Sequence, residues 1–209
     1  ALIACAPFLL ATESRLTSGE YFITQSWSQE TSYNRPYFVN VATDADAARL
    51  PVLIYLHGNG GNAEQSLRGF LRRYPAIAAR YLLVFPQGYL KSWNIVSERS
   101  KANDRAFIEA IVEEVCSHVN AVKGTISIMG VSNGAALVNQ LAIESDLPNV
   151  RNYITAVSPL NVFQHDGSNF KAKGDHNNYL KSITPSPGKR ILNVSGTEDR
   201  LVPYAGGPS

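Results

Sequence analysis

The hydrophobic pattern changes character along the chain. Between residues 20 and 26, and again between 36 and 42, polar and apolar side chains alternate. That is the period of strands with one wet face, and the two stretches predict an antiparallel edge hairpin. Further on, the alternation gives way to short continuous apolar runs: Pro51-Val52-Leu53-Ile54-Tyr55-Leu56-His57, Tyr81-Leu82-Leu83-Val84-Phe85, Thr125-Ile126-Ser127-Ile128-Met129, Tyr153-Ile154-Thr155-Ala156-Val157 and Arg190-Ile191-Leu192-Asn193-Val194. Runs of this length and branching suit inner strands of a parallel sheet covered on both faces. Between them, apolar residues recur at helical spacing. Residues 63–80 carry Leu67, Phe70, Leu71, Tyr74, Ile77 and Ala78; residues 103–120 carry Phe107, Ile108, Ile111, Val112 and Val115; residues 133–145 carry Leu137, Leu141 and Ala142. Strands alternating with helices predict right-handed crossovers and a doubly wound α/β sheet in a single domain over residues 1–209. Residues 160–189 break the rhythm: Asn161, Gln164, His165, Asp166, Ser168, Asn169, Lys171 and Lys173 make a polar excursion. It follows a strand's C-terminal end, where open α/β sheets bind ligands, although a solvated loop without a role has the same composition.

Length and charge narrow the classes. The 209 residues fit one domain, and a net charge of +2 gives no electrostatic footprint for nucleic acid. No apolar run is long enough to span a membrane. The segment Ala1-Leu2-Ile3-Ala4-Cys5-Ala6-Pro7-Phe8-Leu9-Leu10-Ala11 reads as an ordered arm, with the tail of a secretory signal as the alternative. Cys5 and Cys116 allow one disulfide in an oxidising compartment, or two unrelated buried thiols; spacing does not choose. No Cys/His cluster has metal-ligand spacing, so neither metal nor cofactor is implied.

Three segments carry chemistry. In Ile126-Ser127-Ile128-Met129-Gly130-Val131-Ser132-Asn133-Gly134-Ala135-Ala136, an apolar strand runs into Gly-x-Ser-x-Gly and directly on into a helix. Gly-x-Ser-x-Gly alone is a weak match, and a serine N-cap on an ordinary turn would look similar. The flanking strand and helix make it the sharp turn that lifts a nucleophilic serine above a sheet, with the glycines avoiding backbone collisions. Ser132 is therefore the candidate nucleophile. In Leu56-His57-Gly58-Asn59-Gly60-Gly61-Asn62 a strand ends in a glycine-rich loop. An ester hydrolase needs two backbone N–H groups aimed at the tetrahedral oxyanion, and Asn59 and Asn133 are the candidates. His57 is a candidate substrate contact, but its position favours bracing this loop over acting as a base. The Lys-Ser/Thr ending of a phosphate loop is absent. In Val194-Ser195-Gly196-Thr197-Glu198-Asp199 a strand ends at two acids, either of which could orient an imidazole.

These segments resemble the α/β-hydrolase superfamily and, more narrowly, the secreted polyhydroxybutyrate-depolymerase and feruloyl-esterase-like group. The resemblance covers roughly residues 33–207. It rests on His57-Gly58, Pro86-Gln87-Gly88 with Ser92-Trp93-Asn94, Asp104 before a helix, Val131-Ser132-Asn133-Gly134, and Gly196-Thr197-Glu198-Asp199 with Val202-Pro203-Tyr204-Ala205-Gly206-Gly207. It implies an α/β-hydrolase fold, an extracytoplasmic serine esterase acting on a small or polymeric ester, and Asp199 as the triad acid. It further implies Trp93 at the site mouth and Asp104 in a structural role. A non-catalytic binding protein and a serine peptidase on the same fold are the alternatives.

One departure matters. The resemblance places the triad histidine after Asp199, yet His57, His118, His165 and His176 all precede it. His118 reads as a helix-surface residue. His165 and His176, in the polar excursion, could serve only in a rearranged triad. The expectation is that the fold's last strand and helix, and the catalytic histidine, lie beyond Ser209.

Overall fold

The computed structural model describes residues 14–42, 49–158, 160–202 and 204. The expected N-terminal arm and the Cys5–Cys116 pairing fall outside them; Cys116 itself is buried.

Strands β1 (Gly19–Trp27) and β2 (Glu30–Asn40) form the antiparallel hairpin, with Gly19 opposite Val39 and Thr24 opposite Asn34. β3 (Val52–Leu56) leads into α1 (Ala63–Arg73), the short α2 (Pro75–Ala78) and β4 (Leu82–Pro86). Helix α3 (Asp104–Ser117), β5 (Ile126–Val131), α4 (Asn133–Glu144) and β6 (Val150–Ala156) follow. A small antiparallel ribbon, β7 (Phe170–Ala172) with β8 (Lys181–Ile183), precedes β9 (Arg190–Val194). The main sheet has the order β1-β2-β4-β3-β5-β6-β9, parallel from β4 onward. In each of the parallel crossovers from β3 to β6 a helix intervenes. Between β6 and β9 the chain instead runs through the 160–189 excursion, which holds the ribbon.

The helix expected over 63–80 is two helices. Tyr74 leaves helical geometry at φ −130°, ψ 54°, because it precedes Pro75, whose ring disfavours the α region one residue upstream and which starts the next helix. The strand expected at 153–157 begins at Val150 and ends at Ala156, since Val157 adopts φ 58°.

Alternate residues on the strands face two cores. Val52, Ile54 and Leu56 of β3, Leu82 and Val84 of β4, and Ile126 and Ile128 of β5 pack with Phe107, Ile108 and Ile111 of α3 and Leu137 and Leu141 of α4. On the other face Leu53, Leu83 and Phe85 pack against Ala63, Leu67 and Phe70 of α1 and Ala78 of α2. Next to that second core, Met129, Val131 and Ile154 line an open groove of about 1080 Å³ beside Phe70, Tyr74 and Ile77.

Candidate functional site

Strand β5 delivers Ser132 to the C-terminal edge of the sheet, and the next residue opens α4. Ser132 has φ 53° and ψ −123°, a conformation that non-glycine residues rarely adopt and that costs of order 1–3 kcal/mol. The turn is locked from both sides. Its N–H bonds to Ala156 O at 2.9 Å, and its carbonyl accepts from Ala135 N and Ala136 N at 2.8 and 3.1 Å. A Cβ on Gly130 would strike the Gly134 carbonyl, and one on Gly134 would lie 2.5 Å from His57 O, so both glycines are required by close backbone approach. The Ser132 side chain makes no capping bond and is exposed. It stands at the positive end of α4, where partial charge favours a developing anion.

The loop after β3 is drawn against this turn. A Cβ on Gly58 would be 3.6 Å from Ser132 Cβ. Gly60 and Gly61 spend their N–H groups on Lys91 O and Gly58 O. Among the described residues the backbone N–H groups of Asn59 and Asn133 have no acceptor. Asn59 is exposed, and Asn133 is half-buried.

His57 is 2 % exposed and engaged at both ring nitrogens. Its Nδ1–H donates to Gly58 O at 2.7 Å, and Nε2 accepts from Gly88 N at 3.0 Å and from Gln87 Nε2 at 3.1 Å. Burial lowers its pKa below the ordinary value, against smaller opposing influences from the Gly58 carbonyl and Asp104. The ring is thus a neutral brace for the glycine loop and offers neither nitrogen to a substrate. Trp93, placed at the site mouth by resemblance, lies beneath the loop in the structure. Its indole is 0 % exposed, donates from Nε1 to His57 O at 2.7 Å and packs 4.9 Å from the imidazole. It supports the loop from below and has no surface left for a ligand.

Two residues without an assigned role in the sequence complete the support. Gln87 accepts Ala63 N at Oε1 and reaches His57 and Gly88 O through Nε2. Glu98 accepts Ile95 N and Val96 N at 3.0 and 2.7 Å and the Asn133 side-chain amide at 2.9 Å. A glutamine beside Gly88 was visible in the sequence; Glu98 lies in a stretch with no periodic or motif signal. Asp104 forms a buried pair with Arg35 at 2.5 Å and accepts Asn94 N at 2.6 Å, while the Arg35 guanidinium lies 3.8 Å from the Phe107 ring centre.

Asp199 lies in the turn after β9, at the same edge of the sheet. With neighbouring strands about 4.8 Å apart, β9 runs two strands, about 10 Å, from β5. The Asp199 carboxylate accepts Leu201 N and Val202 N at 2.8 and 2.9 Å, capping its own turn. None of the four histidines hydrogen-bonds Ser132. His165 Nδ1 accepts from Gly167 N and its ring packs on Phe170; His176 occupies a short 3₁₀ turn at 175–177. His118, expected on a helix surface, is buried at the end of α3 between Ser14 and Glu114 because the chain N-terminal to β1 lies over it. Among the described residues there is no His/Cys/Asp/Glu group arranged to hold a metal, and no helix is long and apolar enough to cross a membrane.

A mostly parallel twisted sheet with helices on both faces and a strained serine turn between strand and helix is the α/β-hydrolase fold. Solved structures agree. The chain superposes on Thermogutta terrifontis esterase 2 phosphonylated by cyclosarin with TM-score 0.60 and 14 % identity, over 88 % of this chain and 74 % of that one. It superposes on a thermostable esterase with TM-score 0.59 and 17 % identity, over 90 % and 49 %. MGS-M1, an α/β-hydrolase enzyme from a deep-sea metagenome library, matches with TM-score 0.51 and 13 % identity, over 90 % and 74 %. In sequence, the chain is similar to the 30 kDa magnesium-chelatase subunit of Rhodobacter capsulatus, with 30 % identity over 112 residues covering 51 % of this chain and 35 % of that protein. It is also similar to protein bem46 of Schizosaccharomyces pombe, with 22 % identity over 204 residues covering 93 % and 60 %. The chain thus spans between about a third and three fifths of the curated relatives it matches. No family model matches the sequence.

Proposed function

We propose that the protein is a serine hydrolase of carboxylic esters, with Ser132 as nucleophile. The observation that carries this reading is an exposed, backbone-strained Ser132 at the head of α4, with two backbone N–H groups, of Asn59 and Asn133, that have no acceptor among the described residues. In this mechanism Ser132 Oγ attacks the ester carbonyl as a base takes its proton. The C–O bond to the alcohol breaks as the tetrahedral intermediate collapses, leaving an acyl-enzyme, and water then releases the acid. Two preorganised N–H donors hold the oxyanion; each such donor is worth on the order of a hundredfold to a thousandfold in rate. Asp199 is assigned to orient and stabilise the imidazole. The base is assigned to a histidine, and none of His57, His118, His165 and His176 hydrogen-bonds Ser132. The pairing of Pro86-Gln87-Gly88 with Ser92-Trp93-Asn94 supports the resemblance to the depolymerase and feruloyl-esterase-like group, and with it an ester, small or polymeric, met outside the cytoplasm; the motif itself does not single out a substrate.

A fluorophosphonate labelling experiment with intact-mass readout tests the proposal; one of the structural neighbours is an esterase phosphonylated by an organophosphonate. Stoichiometric mass gain located on Ser132, together with p-nitrophenyl acetate turnover, is the expected result. Labelling elsewhere, or turnover that survives loss of Ser132, overturns it. A non-catalytic binding protein is the second reading, favoured by the lack of any described histidine bonded to Ser132. It requires that neither labelling nor turnover occurs in a protein carrying the full chain.

A further inference from the structure

We propose that the 160–189 excursion is a strut that positions Asn133, acting through the segment Trp93–Val96. Its catalytic consequence rests on the hydrolase reading; its structural half does not.

The backbone of Trp93–Val96 is irregular, yet each of its four N–H and four C=O groups is paired with a side chain. Asp104 accepts Asn94 N at 2.6 Å, and Glu98 accepts both Ile95 N and Val96 N. The Asn133 amide closes a two-point clamp on Trp93, accepting from its N–H at 2.7 Å and donating to its carbonyl at 3.0 Å. The three carbonyls that follow all face one short stretch of the excursion. Asn94 O accepts from Lys173 Nζ, Ile95 O from the Tyr179 hydroxyl at 2.8 Å, and Val96 O from Asn177 Nδ2. Three consecutive carbonyls served by residues 173, 177 and 179 mean that the excursion is seated on this segment at defined points.

The same excursion grips α4. Gln164, fully buried, donates from Nε2 to Ala136 O at 2.7 Å in the first turn, and Lys173 N donates to Glu144 Oε1 at 2.9 Å in the last. Asn133, the first residue of that helix, is therefore held through its side chain by Trp93–Val96 and Glu98, and through its helix by the excursion directly. A shift of Trp93–Val96 would turn the Asn133 amide and, with it, the N–H assigned to the oxyanion. Lys173, Asn177 and Tyr179 are positioning residues in this scheme. They touch no substrate.

Tyr179→Phe removes one buried hydroxyl and keeps the ring. Backbone amide exchange and side-chain amide resonances, read by NMR in the full chain, require no activity. The expected result is faster exchange at Trp93 N–H, by about tenfold, and displaced Asn133 side-chain amide resonances. With p-nitrophenyl acetate, kcat falls by about tenfold while KM holds, because an oxyanion donor acts in the transition state. Lys171→Ala, which breaks the pair between β7 and Asp166 elsewhere in the excursion, is the control expected to move neither. Should Tyr179→Phe not fold, Asn177→Ala at its half-buried position carries the same readouts. Unchanged Trp93 exchange and Asn133 resonances overturn the proposal, whatever happens to the melting temperature. Changed resonances in a protein that hydrolyses no ester leave the strut standing and overturn the hydrolase reading instead.

Discussion

Strands β3 (Val52-Leu53-Ile54-Tyr55-Leu56) and β9 (Arg190-Ile191-Leu192-Asn193-Val194) both belong to the short apolar runs of the sequence, and they differ in how far the rest of the described chain covers them. β3 lies at the centre of the sheet with helices over both faces, and Ile54 and Leu56 are wholly buried. Among the described residues β9 pairs with β6 along one edge only and its residues are exposed, Ile191 at 63 %. Each strand ends in a loop that carries part of the proposed site. The loop after β3, which offers Asn59, is fixed by His57, Gln87 and Trp93 and pressed against Ser132. The turn after β9, which offers Asp199, is held mainly by its own carboxylate. Among the described residues, the loop of the nucleophile half is therefore held by contacts from several elements, and the Asp199 turn by its own residues.

The sharpest separation of the two halves is in rate. In the hydrolytically active protein Ser132→Ala is expected to lower turnover by on the order of a millionfold with an unchanged circular dichroism spectrum, and Asp199→Asn by about ten-thousandfold. Equal losses would mean that the two halves are not distinct in function.

Next comes the buried pair beneath the nucleophile half. Asp104→Ala strands Arg35 without its partner in a site sealed by Phe107, and a loss of about 3–5 kcal/mol in urea unfolding is expected. A loss below about 1 kcal/mol would mean that water or Gln25 replaces the carboxylate.

The strands can be compared directly. Ile54→Ala should cost about 2–5 kcal/mol, the range for truncating a packed aliphatic side chain. Leu192→Ala should change stability by no more than about 0.5 kcal/mol, as at an exposed position. Similar penalties from thermal and urea denaturation would show that β9 is covered in solution.

The smallest effect is a pH dependence seated in the β3 loop. His57 has a folded pKa below its unfolded value, so the unfolded chain takes up a proton first as the solution is acidified. Its contribution to stability is complete above about pH 6.5 and declines as pH falls below that value. Unfolding free energies measured from pH 7.5 down to 5 should fall less steeply in His57→Gln than in the parent chain. Parallel slopes would remove His57 from the pH dependence.

Much of the fold was legible because periodicity is a local property. The alternating hairpin, the apolar runs and the three amphipathic stretches correspond to elements within a few residues. The exception at Tyr74-Pro75 is also a local rule, outweighed at first by a continuous apolar face. The serine turn was legible because its glycines are demanded by backbone contacts that any such turn makes. Trp93 and His118 were not, because an aromatic or a histidine in sequence carries no sign of which surface will enclose it. Glu98 was invisible for a related reason: its three acceptor contacts lie with residues 95, 96 and 133, and only folding brings them together.

By itself, then, the sequence determined the order of strands and helices, the glycine-bounded serine turn and the polar break at 160–189, since each depends on neighbours a few positions away. The tertiary structure alone decided that His57 is a neutral brace, that Trp93 is sealed beneath the loop, that β3 is buried on both faces, and that residues 173–179 meet the carbonyls of 94–96. Burial and hydrogen-bond partnership depend on which distant segments share a volume, and residues about 80 positions apart acquire a common environment only when the sheet has assembled.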